Sequence, residues 1–219
     1  MALPVVSKSR LETFGDGIFA IAITLLVLTI AQPTSYADLG HQLAQRWPSF
    51  AAYVVSFAVI GIMWLNHHTI FSHFDHIDRP LLFLNFFLLM TVVFLPYPTG
   101  VFGEALRTGQ GTTTAAVFYS ATMAVNALAW GAIWLYASSG RRLLAPSFPE
   151  TNRRASTVAF TIGIVFYVVS VGVAFLSAYA ALAFQFLLAV YYALDPLGRR
   201  VARELERSPA PSGAASPDR

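Results

Sequence analysis

The stretch GDGIFAIAITLLVLTI, residues 15–30, decides the fold of this chain. It carries a single charge, Asp16, close to its start, and a predominantly apolar run follows. A run of about 18 or more apolar residues is long enough to cross the hydrocarbon core of a bilayer as a helix. Together with its flanking residues, the stretch is predicted to form a membrane-spanning helix at about residues 11–31.

The remaining sequence repeats this pattern. Of the 219 residues, 56% are hydrophobic and only 11% are charged, whereas soluble domains average about 25% charged residues. The predicted class is therefore an all-α polytopic membrane protein, with six transmembrane helices within residues 1–198. The choice of six spans over five depends on a tight turn near Ser177, and Pro96-Tyr97-Pro98 is predicted to end the third helix. The five further helices are predicted at about 48–72, 79–98, 112–137, 155–176 and 179–196.

Basic residues follow this alternation of spans. With six helices, twelve of the 14 Lys and Arg residues fall on the side that holds both termini, and only Arg46 and Arg107 fall on the other. Because cytoplasmic loops are enriched in Lys and Arg, both termini are predicted to face the cytoplasm across the cell membrane. Binding of lipid headgroups is a second reading of the same charges. Topology explains the net charge of +3 without nucleic acid, and residues 199–219 are predicted to be a basic, then disordered tail.

The first helix has two kinds of face. At about 100° per residue, Asp16 points away from a stripe on the opposite side. A carboxylate here is either an interfacial charge that favours the helix dipole or an intramembrane charge with a protein partner. The stripe is either ordinary packing or a functional surface. Its members are Gly17, Ile21, Thr24, Leu25 and Leu28.

Polar residues interrupt the next two helices. Trp64, His67 and His68 lie near the cytoplasmic end of the second helix, at the depth of Asp16, so an Asp–His or Asp–Trp contact between helices is expected. Asn85 of the third helix is expected to form a hydrogen bond across helices.

The loop after the second helix is rich in His and Asp. His73, Asp75 and His76 have residue types that bind metals and sense protons, but such loop clusters are typical of solvated surface, so no metal site is predicted. The chain has no cysteine, which excludes disulfides. No phosphate-binding loop or nucleophile–base pair occurs in any span, so the sequence does not favour an enzyme, and no cofactor is predicted.

Three segments of the first hundred residues form an ordered set: RLETFGDGIFAIAITLLVL at 10–28, WLNHHTIF at 64–71 and NFFLLMTVVFLPYPT at 85–99. Together they resemble the transmembrane-protein-175 family of potassium channels. The family's first-helix signature reads roughly Arg-x-x-x-Phe-Ser-Asp-Gly, followed by Ala-Ile-x-x-Thr-Leu-Leu. The last three helices resemble the family only in number and hydropathy.

The resemblance implies a homotetramer around a central pore lined by the first helix. In the family, bulky apolar side chains of that helix form the constriction, and the matching positions are Ile21, Leu25 and Leu28. Thr24 matches the family's conserved threonine. The Thr-Val-Gly-Tyr-Gly filter of ordinary potassium channels is absent here, as it is in the family.

The resemblance also implies a polar network that holds the pore helix from behind. The family builds it from the Arg, Ser and Asp of the signature with a Trp and a His of the second helix. Gly15 stands where the family has the serine, so one hydroxyl is missing. The supporting residues predicted here are Arg10, Asp16, Trp64, His67 and Asn85.

The predicted function is passive conduction of potassium, with sodium less favoured, through a tetramer surrounded by membrane lipids. A proton-coupled secondary transporter is one alternative, which would require internal repeats, broken helices or midplane charges. A membrane enzyme that uses His67, His68 or the SHFDHID cluster at 72–78 is another, which would require a polar cavity.

Overall fold

A computed structural model describes residues 7–33 and 36–194 of the chain. Helices dominate both ranges, and an isolated bridge pairs Phe74 with Leu144. The all-helical prediction is confirmed, whereas the predicted tail at 199–219 lies outside the described residues. The helices are α1 (Lys8–Val27), α2 (Leu39–Gln45), α3 (Trp47–Ser72), α4 (Arg79–Phe94), α5 (Pro96–Thr108), α6 (Thr112–Ser138), α7 (Glu150–Leu176) and α8 (Ala178–Leu194).

Four helical segments of the described chain are long and apolar enough to cross a membrane: Trp47–Ser72, Arg79–Thr108, Thr112–Arg141 and Glu150–Leu176. The apolar helix α8 has 17 residues, at the lower limit for a span. Helix α1 has 20 residues but carries charges in its first turns. The structure therefore confirms a polytopic, membrane-type helical protein.

Helix α4 ends at Phe94, next to the Pro96-Tyr97-Pro98 stretch predicted to end the third helix, but the chain stays helical beyond it, which was not predicted. Leu95 keeps helical backbone angles (φ −54°, ψ −36°), and α5 starts at Pro96 and continues to Thr108. Prolines are tolerated in the first turn of a helix because N–H groups there have no intrahelical acceptor. The helical rod ends instead at Gly109, whose φ of +71° is left-handed.

Other helix bounds differ modestly from the sequence expectation. Helix α1 begins at Lys8 and ends at Val27, where i→i+3 turns replace the α-helical pattern. Helix α7 begins at Glu150, five residues earlier than predicted, and the short helix α2 in the loop between α1 and α3 was not predicted. The turn between α7 and α8 falls at Ser177, whose backbone is extended and whose Oγ accepts a hydrogen bond from the Ala180 amide at 3.2 Å.

Helix α1 packs on α3, α4 and α5 through one stripe of its surface. The buried members of that stripe are Leu11, Gly15, Phe19, Ala22 and Leu26, spaced three or four residues apart as one helical face requires. The opposite face is exposed in the single chain.

Hydrogen bonds between side chains tie the surrounding helices together. Ser56 of α3 lies between Tyr119 of α6, at 3.0 Å, and Thr99 of α5, which donates at 2.8 Å. Asn126 of α6 donates to Thr91 of α4 at 2.7 Å. Such bonds contribute about 0.6 kcal/mol on average between membrane helices, and together they fix the scaffold behind α1.

Candidate pore helix and its supporting contacts

The predicted constriction residues lie on the uncovered face of α1. Ile21 is 51% exposed, Leu25 38% and Leu28 77%. Thr24 is also exposed, and its hydroxyl donates to the Ile21 carbonyl at 2.9 Å. The chain alone therefore leaves this apolar stripe available for a pore, a second copy or lipid.

Asp16 is bound to the second membrane helix. The indole Nε1 of Trp64 donates to Asp16 Oδ1 at 2.8 Å. The sequence left an Asp–His and an Asp–Trp contact open, and the structure forms the Asp–Trp contact. A charged acceptor strengthens this hydrogen bond, which ties the N-terminal half of α1 to α3.

His67 lies behind α1 and is 1% exposed. Its Nε2 lies 2.9 Å from the amide oxygen of Asn85, and because that oxygen only accepts, Nε2 carries the proton and donates. The ring stacks on Phe71 at 4.3 Å between centroids and meets Phe19 edge-on at 5.5 Å. His67 is thus held by α3 and α4 and packed against α1. The Asn85 Nδ2 is buried without a hydrogen-bond partner among the described residues.

Gly15 has a steric role that the sequence did not reveal. A Cβ built on Gly15 would lie 2.9 Å from His67 Cε1, closer than real Cβ contacts. The sequence comparison with the family signature noted only a missing serine hydroxyl at this position. The structure shows that the absent side chain leaves room for the imidazole ring.

Arg10 stands apart from the other predicted supporting residues. It is exposed, and within the described part of the chain it forms neither a hydrogen bond nor an ion pair. Lys8 is tethered instead, because its Nζ donates to the carbonyls of Ser72 at 3.1 Å and Phe74 at 3.0 Å. Sequence reasoning missed Lys8, whose position in the first turn of α1 carries no distinguishing pattern.

The C-terminal end of α1 has contacts that the sequence also did not predict. Arg46 is 6% exposed, and its Nη2 donates to the Gln32 carbonyl at 3.0 Å. Gly100 of α5 lies so close to Thr29 that an added Cβ would stand 2.8 Å from the threonine Cβ. The signal available for Arg46 was that it is one of only two basic residues on the predicted outer side.

The His- and Asp-rich loop does not gather into a site. The His73 ring packs on Phe148 at 4.7 Å, and burial, with the charge of Lys8, lowers the pKa of His73. His76 and Asp75 are exposed and pair with each other at 3.3 Å. No group of three potential metal ligands occurs among residues 7–33 and 36–194.

Comparison with known proteins begins with a family model. Residues 10–96, which include most of α1 and all of α2, α3 and α4, match the family of the endosomal/lysosomal potassium channel TMEM175. A potassium channel of Streptomyces collinus is 45% identical over 190 residues, which cover 86% of this chain and 92% of that protein. A potassium channel of Chamaesiphon minutus is 38% identical over 189 residues, covering 84% and 93% of the two chains.

A solved structure agrees with these sequence relationships. The crystal structure of a lysosomal potassium-selective channel TMEM175 homolog from Chamaesiphon minutus matches with a TM-score of 0.77 at 35% identity, over 85% of this chain and 96% of that one. These relatives are channels and not enzymes. The identity, its coverage of nearly the whole chain and the shared fold together show that this chain belongs to the TMEM175 family.

Proposed function

We propose that the chain forms a potassium-selective, or weakly selective, cation channel of the cell membrane, conducting passively and without a cofactor. The relatives' names support potassium as the permeant ion. The observation that carries the proposal is the uncovered apolar stripe of α1 opposite a face that is tightly packed and hydrogen-bonded.

The proposed assembly is a homotetramer with α1 at its centre. In a closed cyclic oligomer every copy presents the same residues to the axis, so four stripes would form rings of Ile21, Leu25 and Leu28. Gly17 adds no side chain and has open space around it, which favours close approach of the four helices. Six spans (α1, α3, the continuous α4–α5 rod, α6, α7 and α8) would place both termini in the cytoplasm.

The proposed constriction is dry and narrow. Rings of apolar side chains resist wetting, and hydrophobic constrictions gate channels in this way. Thr24 offers the polar counterpart: its hydroxyl proton points to the Ile21 carbonyl, so its oxygen lone pairs are free to face a cation. Ile21 is therefore the residue whose polarity should control conduction most directly.

The residues behind α1 are proposed to keep this geometry fixed. The Asp16–Trp64 hydrogen bond links the pore helix to α3, and the His67–Asn85 hydrogen bond joins α3 to α4 behind it. Arg10 stays a prediction, since in a single chain it contacts none of them.

The test is ion flux in liposomes that hold the purified channel, comparing potassium with sodium. Ile21→Asn should conduct more and discriminate less, because an amide hydrates the constriction. Ile162→Asn on α7 is the matched control: Ile162 is 42% exposed and lies outside α1, so wild-type flux is expected.

Two results would overturn the proposal. One is a wild-type protein that passes no potassium, and the other is an Ile21→Asn variant whose flux and selectivity match those of Ile162→Asn. Repeating the flux with an imposed proton gradient separates the channel from a proton-coupled transporter, because passive potassium flux is independent of that gradient.

A further inference from the structure

A cavity of 510 Å³ lies among α3, α6, α7 and α8 and is lined by no residue of α1. Its volume falls within the range of about 300–1,000 Å³ that is typical of ligand pockets. Helix α7 contributes one continuous face to it, comprising Asn152, Ser156, Ala159, Phe160, Gly163 and Tyr167. The cavity is thus a feature separate from the proposed pore.

Small residues on α7 keep this space open. Helix α7 is anchored to Trp134 of α6. The indole Nε1 of Trp134 donates to Thr157 at 2.9 Å, and its ring stacks on that of Phe160 with 5.4 Å between centroids. On the cavity side, Ala155 and Ala159 have short side chains that do not reach across the opening.

The two ends of the cavity differ in chemistry. The end near the middle of the helices is mainly apolar and aromatic, with Met63, Trp130 and Ile164, and the amide of Asn126 there donates to Thr91. The end near the last turn of α3 and the first turn of α7 is polar, with His73 and Asn152. In the proposed orientation the apolar end lies at the depth of lipid chains and the polar end lies at the cytoplasmic headgroup level.

Two cations lie next to the lining of the polar end, although neither is itself a lining residue. Lys8 binds the carbonyls of Ser72 and Phe74, the two neighbours of His73. Arg141 Nη2 donates to the carbonyl of Phe148, which itself lines the cavity, at 2.8 Å. No carboxylate is among the lining residues that the structure describes. Glu150 stands outside the lining and is shared by Arg141, at 3.7 Å, and by Arg153 and Arg154, so basic residues outnumber it there. The arrangement is therefore complementary to an anion joined to a long apolar chain.

We propose that this cavity binds one anionic phospholipid per subunit, with an acyl chain between α3 and α7 and the phosphate beside Lys8 and Arg141. The inference rests on the proposed membrane orientation, which sets the polar end at the headgroup level. Basic residues at the cytoplasmic surface attract anionic lipid, and an apolar cavity without an occupant would forfeit dispersion contacts along its walls.

The first experiment fills the cavity. Ala155→Leu combined with Ala159→Leu places two larger side chains in it, and Ala180→Leu combined with Ala183→Leu makes the same exchange on an exposed part of α8. Each purified protein is stripped of lipid, incubated with phosphatidylglycerol or phosphatidylcholine, and measured by native mass spectrometry.

The wild type and the α8 control should retain one phosphatidylglycerol per subunit, and the filled variant should bind it at least tenfold more weakly. Lys8→Gln should reduce the preference for phosphatidylglycerol over phosphatidylcholine without removing lipid binding, because the apolar end is intact. A melting curve of each variant excludes unfolding as the cause of lost binding.

Equal retention by the filled variant and the α8 control would overturn the inference, as would equal binding of the two lipids by the wild type. The readout does not involve ion flux, so lipid binding in a protein that passes no potassium would refute the proposed function alone. Conversely, a conducting wild type without lipid retention would refute only the lipid site.

Discussion

Replacing Gly15 with alanine should destabilise the chain because of one contact. The new methyl carbon would lie 2.9 Å from His67 Cε1. The ring has little freedom to move away, since it donates to Asn85 at 2.9 Å and stacks on Phe71 at 4.3 Å between centroids. Either the hydrogen bond or the packing of α1 on α3 must change.

The size of the effect follows from two opposing contributions. Overpacking a well-packed site costs about 1–3 kcal/mol. Exchanging glycine for alanine inside a helix contributes about 0.5–1 kcal/mol of stability. Gly61 of α3 has nothing within 4 Å of an added Cβ, so Gly61→Ala isolates the second contribution. The two variants should therefore differ by about 1–3 kcal/mol, or about 2–12 °C in melting temperature for a chain of this length.

The assay is thermal denaturation of the purified protein in detergent, with Gly15→Ala, Gly61→Ala and the wild type side by side. A second pair carries His67→Ala. Because that change removes the ring, Gly15→Ala in the His67→Ala background should behave like Gly61→Ala, as a double-mutant cycle requires for a direct contact.

Equal melting temperatures for Gly15→Ala and Gly61→Ala would refute the steric argument. So would a Gly15→Ala deficit that persists after His67 is removed, because the cost would then arise from something other than the imidazole ring.

Three further outcomes are expected. Asp16→Ala and Trp64→Phe should each lower the melting temperature, because each removes the same hydrogen bond. The melting temperature of the double variant should therefore fall no further than that of the more strongly affected single variant. Additive losses would contradict this. Arg46→Met should speed hydrogen exchange around residues 28–33, because the Gln32 carbonyl loses its donor; unchanged exchange there would show that Arg46 does not anchor this end. Burial lowers the pKa of His73 in the folded protein, so the unfolded chain takes up a proton at a higher pH than the folded chain does. The folded protein should therefore keep its full stability above a pH of about 6.5 and lose stability as the pH falls from there toward the folded-state pKa. Melting temperatures from pH 8 to 5 test this, and His73→Gln should flatten the profile if His73 is responsible.

The helical membrane class was predictable from the sequence because hydropathy is a local property. Each apolar run must satisfy its own backbone hydrogen bonds in lipid, so it forms a helix whatever lies beside it. The predicted runs accordingly correspond to helices in the described chain, within a few residues at most ends. The 100° rotation per residue also predicted that Ile21 and Leu25 share one face of α1 and that Asp16 lies apart from them, whereas the exposure of that face came from the structure.

The helix that follows Pro96 was not predictable in the same way. A proline disfavours helix in the residue before it, which argued for a stop at Pro96. Whether the chain resumes as a new helix depends on what the following turns pack against. In the structure Thr99 bonds to Ser56 of α3, and α5 packs on both α3 and α6, so the rod continues to Thr108.

Residue types and helix angles determined that this protein is a bundle of membrane helices whose first helix has a charged back and an apolar front. Only the tertiary structure decided which contacts hold this helix. Asp16 bonds to Trp64, Lys8 takes the place of Arg10 as the tether to α3, and the imidazole ring of His67 fills the space left by Gly15. These contacts join residues about 50 or more positions apart. Their formation depends on the rotation and spacing of whole helices, which no local pattern in the chain encodes.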